Sequence, residues 1–367
     1  MLFLVILCFS CSCVVTALLV RFGAEHARQY GLGVPQRFHF GHVPRLGGAA
    51  MLAGCTLGWF WMVLSGPIGS ANQIRISGWT ALAIWFVTAI PAGAGLIEDL
   101  TQRLGPRFRL LLTGLAALIA VSVLDLGVPR LGLPGIDDFW LTYPWLGMAL
   151  AIIAISGLPH AFNLIDGYNG LAGLVALICC LALAYVSLQV GDRQLAALVL
   201  SLAGGTAGFL VWNYPRGLIF AGDGGAYLWG VVIAIACIML VQRHPQVSPW
   251  FPALLLIYPV WETIFSIWRK SIRGQSPGVA DALHFHQLIY RRIVRGVFHD
   301  DESRRKLMRN NRTSPYLWGF ALLTVCPAVL FWSNTYVLMG FTLLFVVSYL
   351  YCYSSIVRFR VPRWLRR

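Results

Sequence analysis

Acidic side chains are scarce in this chain, fourteen in 367 residues, so the position of each carries information. Glu98 and Asp99 stand side by side after a long apolar run. Adjacent residues on a helix diverge by about 100°, so one of the pair is free for chemistry while the other caps a helix or binds a metal. In NLIDGYNGLAG, Asn163 and Asp166 are three apart and share a helix face, and Gly167, Gly170 and Gly173 let a ligand or another backbone come close. A turn followed by a small-residue packing seam is the alternative for that segment. Asp223 lies between glycines in FAGDGGA, just ahead of another apolar run. Its carboxylate and the free amides of a helix start suit a hard divalent cation bound with phosphate oxygens, or a simple N-cap. In DALHFHQL, His284 and His286 share a side only if the segment is extended. Without a nearby cysteine they are a weak zinc signal, but neutral imidazoles donate well to phosphate. Glu262, inside an apolar run and seven residues before Arg269, is the deepest acid and requires a partner, for which a structural ion pair suffices.

The elements that hold these residues are membrane spans. With 58% apolar and 11% charged residues and a mean hydropathy of +0.71, the chain falls far below the ~25% charged residues of soluble domains, which excludes a water-soluble fold. Apolar stretches run over 2–20, 46–65, 78–97, 108–125, 144–162, 170–188, 195–212, 225–241, 250–268, 316–333 and 336–356, each near the ~20 residues a helix needs to cross a bilayer. The expected fold is therefore all-α and polytopic, with about eleven transmembrane helices. The first stretch lacks a preceding basic residue and a cleavage site and is followed by Arg21, so it is expected to be an anchored span with the N-terminus outside. The C-terminus is then cytoplasmic. Lys and Arg agree: 24 of the 28 fall in the loops this topology places inside, four in 21–45, three in 98–109, one in 213–224, eleven in 269–315 and five in 357–367. Arg75, Arg130, Arg193 and Arg243 fall outside. The net charge of +14 is thus a topology signal, not a nucleic-acid signature. The nine cysteines all lie in apolar stretches without ligand spacing, so Cys8, Cys11 and Cys13 read as lipid-facing or packing residues.

The polar clusters all land on the cytoplasmic face that the basic residues define. The chain reads as one transmembrane catalytic domain, 1–367, with a cytoplasmic loop over 269–315 that carries the His-x-His motif. Within that loop Ile289, Ile293 and Val297 repeat every four residues while Arg291, Arg292 and Arg295 point elsewhere, the pattern of an interfacial helix or of an ordinary connecting one. Asn311-Arg312-Thr313 forms a glycosylation sequon on the wrong side of the membrane for modification, and the Gly- and Pro-rich segment 126–143 reads as an outer loop.

Together these segments resemble the polyprenyl-phosphate N-acetylhexosamine-1-phosphate transferases, in order and spacing from about residue 33 to 290. PQRFHFGHVPRLGG resembles the family's first motif through Pro35, Arg37, His39, Pro44, Gly47 and Gly48. GLIEDLTQRL has Glu98 where an aspartate is usual, then Asp99. NLIDGYNGLAG supplies Asn163 and Asp166, with His160 in place of a common Asn and Asn169 in place of a frequent Asp. NYPR, with Asn213 and Pro215, leads to FAGDGGA, where Asp223 takes the metal-associated position and Ala226 replaces Ser. YPVWETIFSIWRK has Glu262 for Asp, followed by Arg269; SPGVADALHFHQL gives Ser276, Pro277, Asp281, His284 and His286, with Gln287 replacing a third His. The missing Asn169 carboxylate and third His place the chain nearer the undecaprenyl-phosphate GlcNAc-1-phosphate transferase branch than the phospho-MurNAc-pentapeptide translocase branch.

The resemblance implies a bacterial inner-membrane enzyme, active site toward the cytoplasm, that passes a sugar 1-phosphate from a UDP-sugar to undecaprenyl phosphate. It implies Mg²⁺ or Mn²⁺ on Asp223 and Asp166, and Asp99, Glu98 and Asp166 as catalytic carboxylates, Asp99 ahead of Glu98 as the base. His39, Asn163, Asn169, Arg273, Asp281, His284 and His286 are the expected substrate-binding set, with membrane lipids and a second copy of the chain as partners. Two other classes stay open. A transporter or flippase would carry mid-bilayer charges and inverted repeats, whereas only Glu262 is deep and no repeat is visible. A homologue that has lost activity is the other, since several motif positions deviate.

Overall fold

The computed structural model describes residues 1–23, 42–66, 74–276, 283–294, 296–297 and 299–359. His39 and Asp281, with Pro35, Arg37, Pro277 and Arg295, lie outside the described residues. Among those described every regular element is a helix: α1 (Leu2–Phe22), α2 (Gly47–Leu64), α3 (Gly78–Thr101), α4 (Pro106–Leu124), a short α5 (Ile136–Thr142), α6 (Pro144–Ile165), α7 (Leu171–Gln189), α8 (Arg193–Asn213), α9 (Gly222–Arg243), α10 (Trp250–Leu255), α11 (Ile257–Ile272), a one-turn α12 (Phe285–Leu288) running into a π-turn, α13 (Glu302–Leu330) and α14 (Thr335–Val357). Ten of these are long and apolar enough to cross a bilayer.

The ninth expected span, 250–268, is not one helix but two. Pro259 has no amide to give to Leu255, the last residue of α10, and its ring crowds that carbonyl. The pair still runs the length of α14. Ser248 Oγ meets Thr335 Oγ1 at one end (2.7 Å), and Arg269 Nη1 donates to Tyr353 OH at the other (2.5 Å). The tenth expected span begins earlier than its apolar stretch, because α13 continues from Glu302 with Asp301 accepting from the Ser303 amide as its N-cap.

Helix α9 is the axis of the molecule. Every residue from Gly224 to Val241 is buried, enclosed by α2, α3, α6, α7 and α8. Small residues make this packing possible. A Cβ on Gly48 would strike the backbone of Gly224 and Gly225, one on Gly95 that of Asp223 and Gly224, and one on Gly230 that of Pro159 in α6. On the far side α1 lies in a groove of α8 and α2, where Gly204, Gly208 and Gly54 face its backbone carbonyls and Ser12 Oγ donates to Gly205 O (2.7 Å).

Loops sort into two sets by their contacts. Arg243 and His244 pair with Asp192, Arg130 donates to Pro245 O and Val247 O, and Gln242 binds Asp125 O, all at one end. The acidic clusters lie at the other. Gly95→Ala is expected to destabilise the protein by about 2 kcal/mol through overpacking against α9, read as a lower melting temperature in detergent. Gly93→Ala, two residues away with open space around it, should melt at or slightly above the wild-type temperature.

Candidate active site

The site is assembled where α9 begins. Residues 44–48 pair with the segment ahead of α9: Phe220 N donates to Pro44 O, Gly47 N to Phe220 O and Gly48 N to Ala221 O, each at 2.9 Å. Gly222 then takes a positive φ of 71°, with Arg45 O and the Asp99 carboxylate where a Cβ would be, and the chain turns into the helix. Asp99, buried at the end of α3, accepts from the Asp223 amide at 3.1 Å and from the Gly224 amide at 3.0 Å. These are orphan donors of a helix N-terminus, and an anion there also complements the helix dipole. Asp99 thereby fixes the direction in which Asp223 leaves the backbone.

The Asp223 side chain faces two other helices. Asn163 Nδ2, near the end of α6, donates to Oδ1 at 2.6 Å, and Arg109, in the first turn of α4, forms an ion pair with Oδ2. His160, one turn before Asn163, bonds to Thr113 Oγ1 at 3.1 Å and meets the edge of Tyr227. Helix α6 stops at Ile165, so Asp166 is not on the Asn163 helix face but follows it, half-buried. Burial pushes the Asp166 carboxyl up to about 7, helped by negative Asp223 and opposed by Arg45. Glu98 diverges from Asp99 as adjacent helical residues must. It is half-buried, and its Oε2 accepts from Leu104 N at 2.6 Å.

A second group adjoins the first through the loop after α6. His284 is the N-cap of α12, extended at φ −67° and ψ 150°, and its ring stacks on His286 at 5.4 Å and 12°. His286 lies over Gly167 and against the Tyr168 ring. Burial, and then the neighbouring His284, push its imidazole down to about 3 against the pull of Glu262, so it is neutral near pH 7. Its Nδ1 is buried without a hydrogen-bond partner among the described residues. Glu262, fully buried, meets His284 Nδ1 (3.3 Å), the Phe285 amide (3.0 Å) and Tyr349 OH (2.7 Å). Arg269 is not its partner. Asn169 is turned toward α13: its amide N donates to Asn310 Oδ1 (2.8 Å), its Nδ2 to Asn311 Oδ1 (2.9 Å), and its carbonyl accepts from Ser314 Oγ (2.6 Å). Arg273 is exposed just past α11. Ile289, Ile293 and Val297 are buried in the protein core.

Among the described residues no three His, Cys, Asp or Glu side chains converge as a ready metal cage. The carboxylates of Asp223 and Asp166 are nonetheless hard oxygen donors, on a site where burial and mutual repulsion already raise one acid. That set suits a cation such as Mg²⁺, which keeps waters and takes one or two carboxylates with substrate phosphates.

Residues 81–241 match the family model for glycosyl transferase family 4, the stretch that holds Glu98, Asp99, Arg109, Asn163, Asp166 and Asp223. Over that stretch the chain is similar to the family. It is 28% identical over 68% of its length to a probable undecaprenyl-phosphate N-acetylglucosaminyl 1-phosphate transferase of Bacillus subtilis strain 168, of which it covers 66%. To a decaprenyl-phosphate N-acetylglucosaminephosphotransferase of Mycobacterium tuberculosis it is 27% identical, over 70% of this chain and 69% of that protein. A phospho-N-acetylmuramoyl-pentapeptide-transferase of a Synechococcus strain is 34% identical over a shorter stretch, 46% of this chain and 51% of the other. The chain thus spans about two thirds or less of these relatives' lengths. The apolar helices together with the family make it a multi-pass membrane protein.

Motif reading did not single out Arg109, Arg45 or Tyr227. The two arginines sit beside carboxylates far away in sequence and counted only toward topology, and Tyr227, one turn along α9 from Asp223, read as one more aromatic in a span. The different tasks of the adjacent acids are separable. Asp99→Asn should lower thermal stability by about 1–3 kcal/mol, because one of its acceptors for the α9 amides is lost. Glu98→Gln should stay within about 0.5 kcal/mol of wild type.

Proposed function

We propose that the protein transfers a sugar 1-phosphate, GlcNAc 1-phosphate first among them, from a UDP-sugar to undecaprenyl phosphate at the cytoplasmic face of the bacterial inner membrane. An oxygen of the lipid phosphate attacks the sugar-bearing phosphorus, the bond between the two phosphates of the nucleotide breaks, and UMP leaves. The product is an undecaprenyl pyrophosphoryl sugar that starts a lipid-linked glycan. The observation that carries this reading is the convergence on Asp223 of Asn163, Arg109 and the Asp99-held backbone, with the His284/His286 pair adjoining through Gly167. The names of the relatives supply the substrates, and the basic residues on one set of loops supply the orientation.

Phosphoryl transfer between two anions is mainly a matter of positioning and of neutralising charge. Asp223 and Asp166 are the residues that would hold Mg²⁺ or Mn²⁺, with the Asn163 amide orienting Asp223, and the cation when bound supplies positive charge to the pyrophosphate oxygens. Arg109 carries a fixed positive charge to the same place and balances Asp223. The neutral imidazole of His286, and His284 beside it, donate to the diphosphate or uridine end of the nucleotide sugar; His39, Arg273 and Asp281 complete the proposed substrate set. Asp99 is bonded to the α9 amides, so Glu98, with one oxygen still open, is the carboxylate that takes the proton of the lipid phosphate and so orients it for attack. Apolar walls on every side of α9 keep bulk water from competing with the lipid as acceptor.

Purified protein in excess Mg²⁺ should release UMP from UDP-GlcNAc only when undecaprenyl phosphate is present, and Asp223→Asn should lower that rate by about 10²-fold or more. Wild-type release by Asp223→Asn protein would overturn the assignment.

A further inference from the structure

The last helix lies outside the family-matched stretch, yet two of its tyrosines reach the histidine segment. Tyr349 and Tyr353 are one helical turn apart on α14, both buried, with rings stacked at 6.2 Å and 13°. Tyr349 OH donates to Glu262 Oε2 at 2.7 Å, and Oε1 of the same carboxylate takes the Phe285 amide and His284 Nδ1. Tyr353 OH accepts from Arg269 Nη1 at 2.5 Å, and both groups donate to the Leu283 carbonyl, at 3.2 Å and 2.6 Å. Residues 283–285 are therefore held at two points, a carbonyl by a cation and an amide by an anion, and each point is fixed from α14. A buried carboxylate and a buried guanidinium at the base of a short segment are costly unless each is fully bonded, and the two hydroxyls supply bonds that α11 alone cannot.

We propose that Tyr349 and Tyr353 are positioning residues for the nucleotide-sugar side of the site, acting through Glu262 and Arg269 on the backbone that presents His284 and His286. They touch no reacting atom. The inference rests on the proposed function for its kinetic consequence and on geometry alone for its structural one. Loss of one hydroxyl lets the segment between Leu283 and Leu288 move while the ring keeps its packing.

The test uses full-length Tyr349→Phe and Tyr353→Phe, with Tyr351→Phe, an exposed neighbour on the same helix, as the control. Each phenylalanine at 349 or 353 should raise KM for UDP-GlcNAc by about tenfold, the loss of one hydrogen bond to a charged group, with kcat and KM for undecaprenyl phosphate within about twofold of wild type. Deuterium uptake should quicken over 283–288 in both variants and nowhere in α9. Unchanged exchange over 283–288 overturns the inference whatever the kinetics show, as does a parallel rise in both KM values. A wild-type protein that releases no UMP from UDP-GlcNAc would count against the proposed function alone, since the exchange measurement still decides whether the tyrosines hold the segment.

Discussion

The structure depends on how closely three backbones approach one another at the start of α9. Glycines on α2 and α3 leave no Cβ between those helices and Gly224–Gly225, so the Asp99 carboxylate reaches the first amides of α9 directly. In a low-dielectric surrounding an unpaired amide or carboxylate is expensive, and each satisfies the other. The same contact determines where Asp223 points, and Asp223 is the group on which α4 and α6 converge through Arg109 and Asn163. Packing, capping and the candidate chemistry are thus one constraint: a larger residue at the glycine positions would move the carboxylate that the site is built around.

Two halves meet there. The carboxylates belong to the central helices, whose burial makes them rigid. The histidines belong to a short segment fixed from α11 and α14. The loop after α6 joins them, with Asn163 on Asp223 at one end and Gly167 under His286 four residues later. That loop is fastened in turn by α13, where Asn310, Asn311 and Ser314 take up the polar groups of Asn169. The C-terminal helices therefore do more than add spans, because both loops that border the site hang from them.

Much of this was legible in the residues. A bilayer demands about twenty apolar residues per crossing, so eleven spans could be marked from hydropathy, ten of which are single long helices among the described residues. The break in the ninth could not: Pro259 looks like any tolerated proline until its missing amide falls opposite the end of α10. Nor does hydropathy show α13 continuing through a polar stretch, since a helix outside the membrane leaves no apolar signal. In the site, carboxylates stood out because acids near lipid are rare. Their partners did not. Arg109 lies 114 residues from Asp223 and reads as a topology-setting arginine, and Tyr349 reads as one more aromatic in a span. Sequence shows which groups are costly to bury; which group relieves that cost is decided by tertiary proximity.

The central claim is that a polyprenyl phosphate and a UDP-sugar react directly at the carboxylate cluster around Asp223. It is tested most directly by exchange of labelled UMP into UDP-GlcNAc on the purified protein. Exchange that requires undecaprenyl pyrophosphoryl GlcNAc, or undecaprenyl phosphate from which it forms, is the predicted result, because UMP can re-enter the nucleotide sugar only by displacing the lipid. Exchange at the same rate with no polyprenyl compound present, or none under any condition, would contradict it.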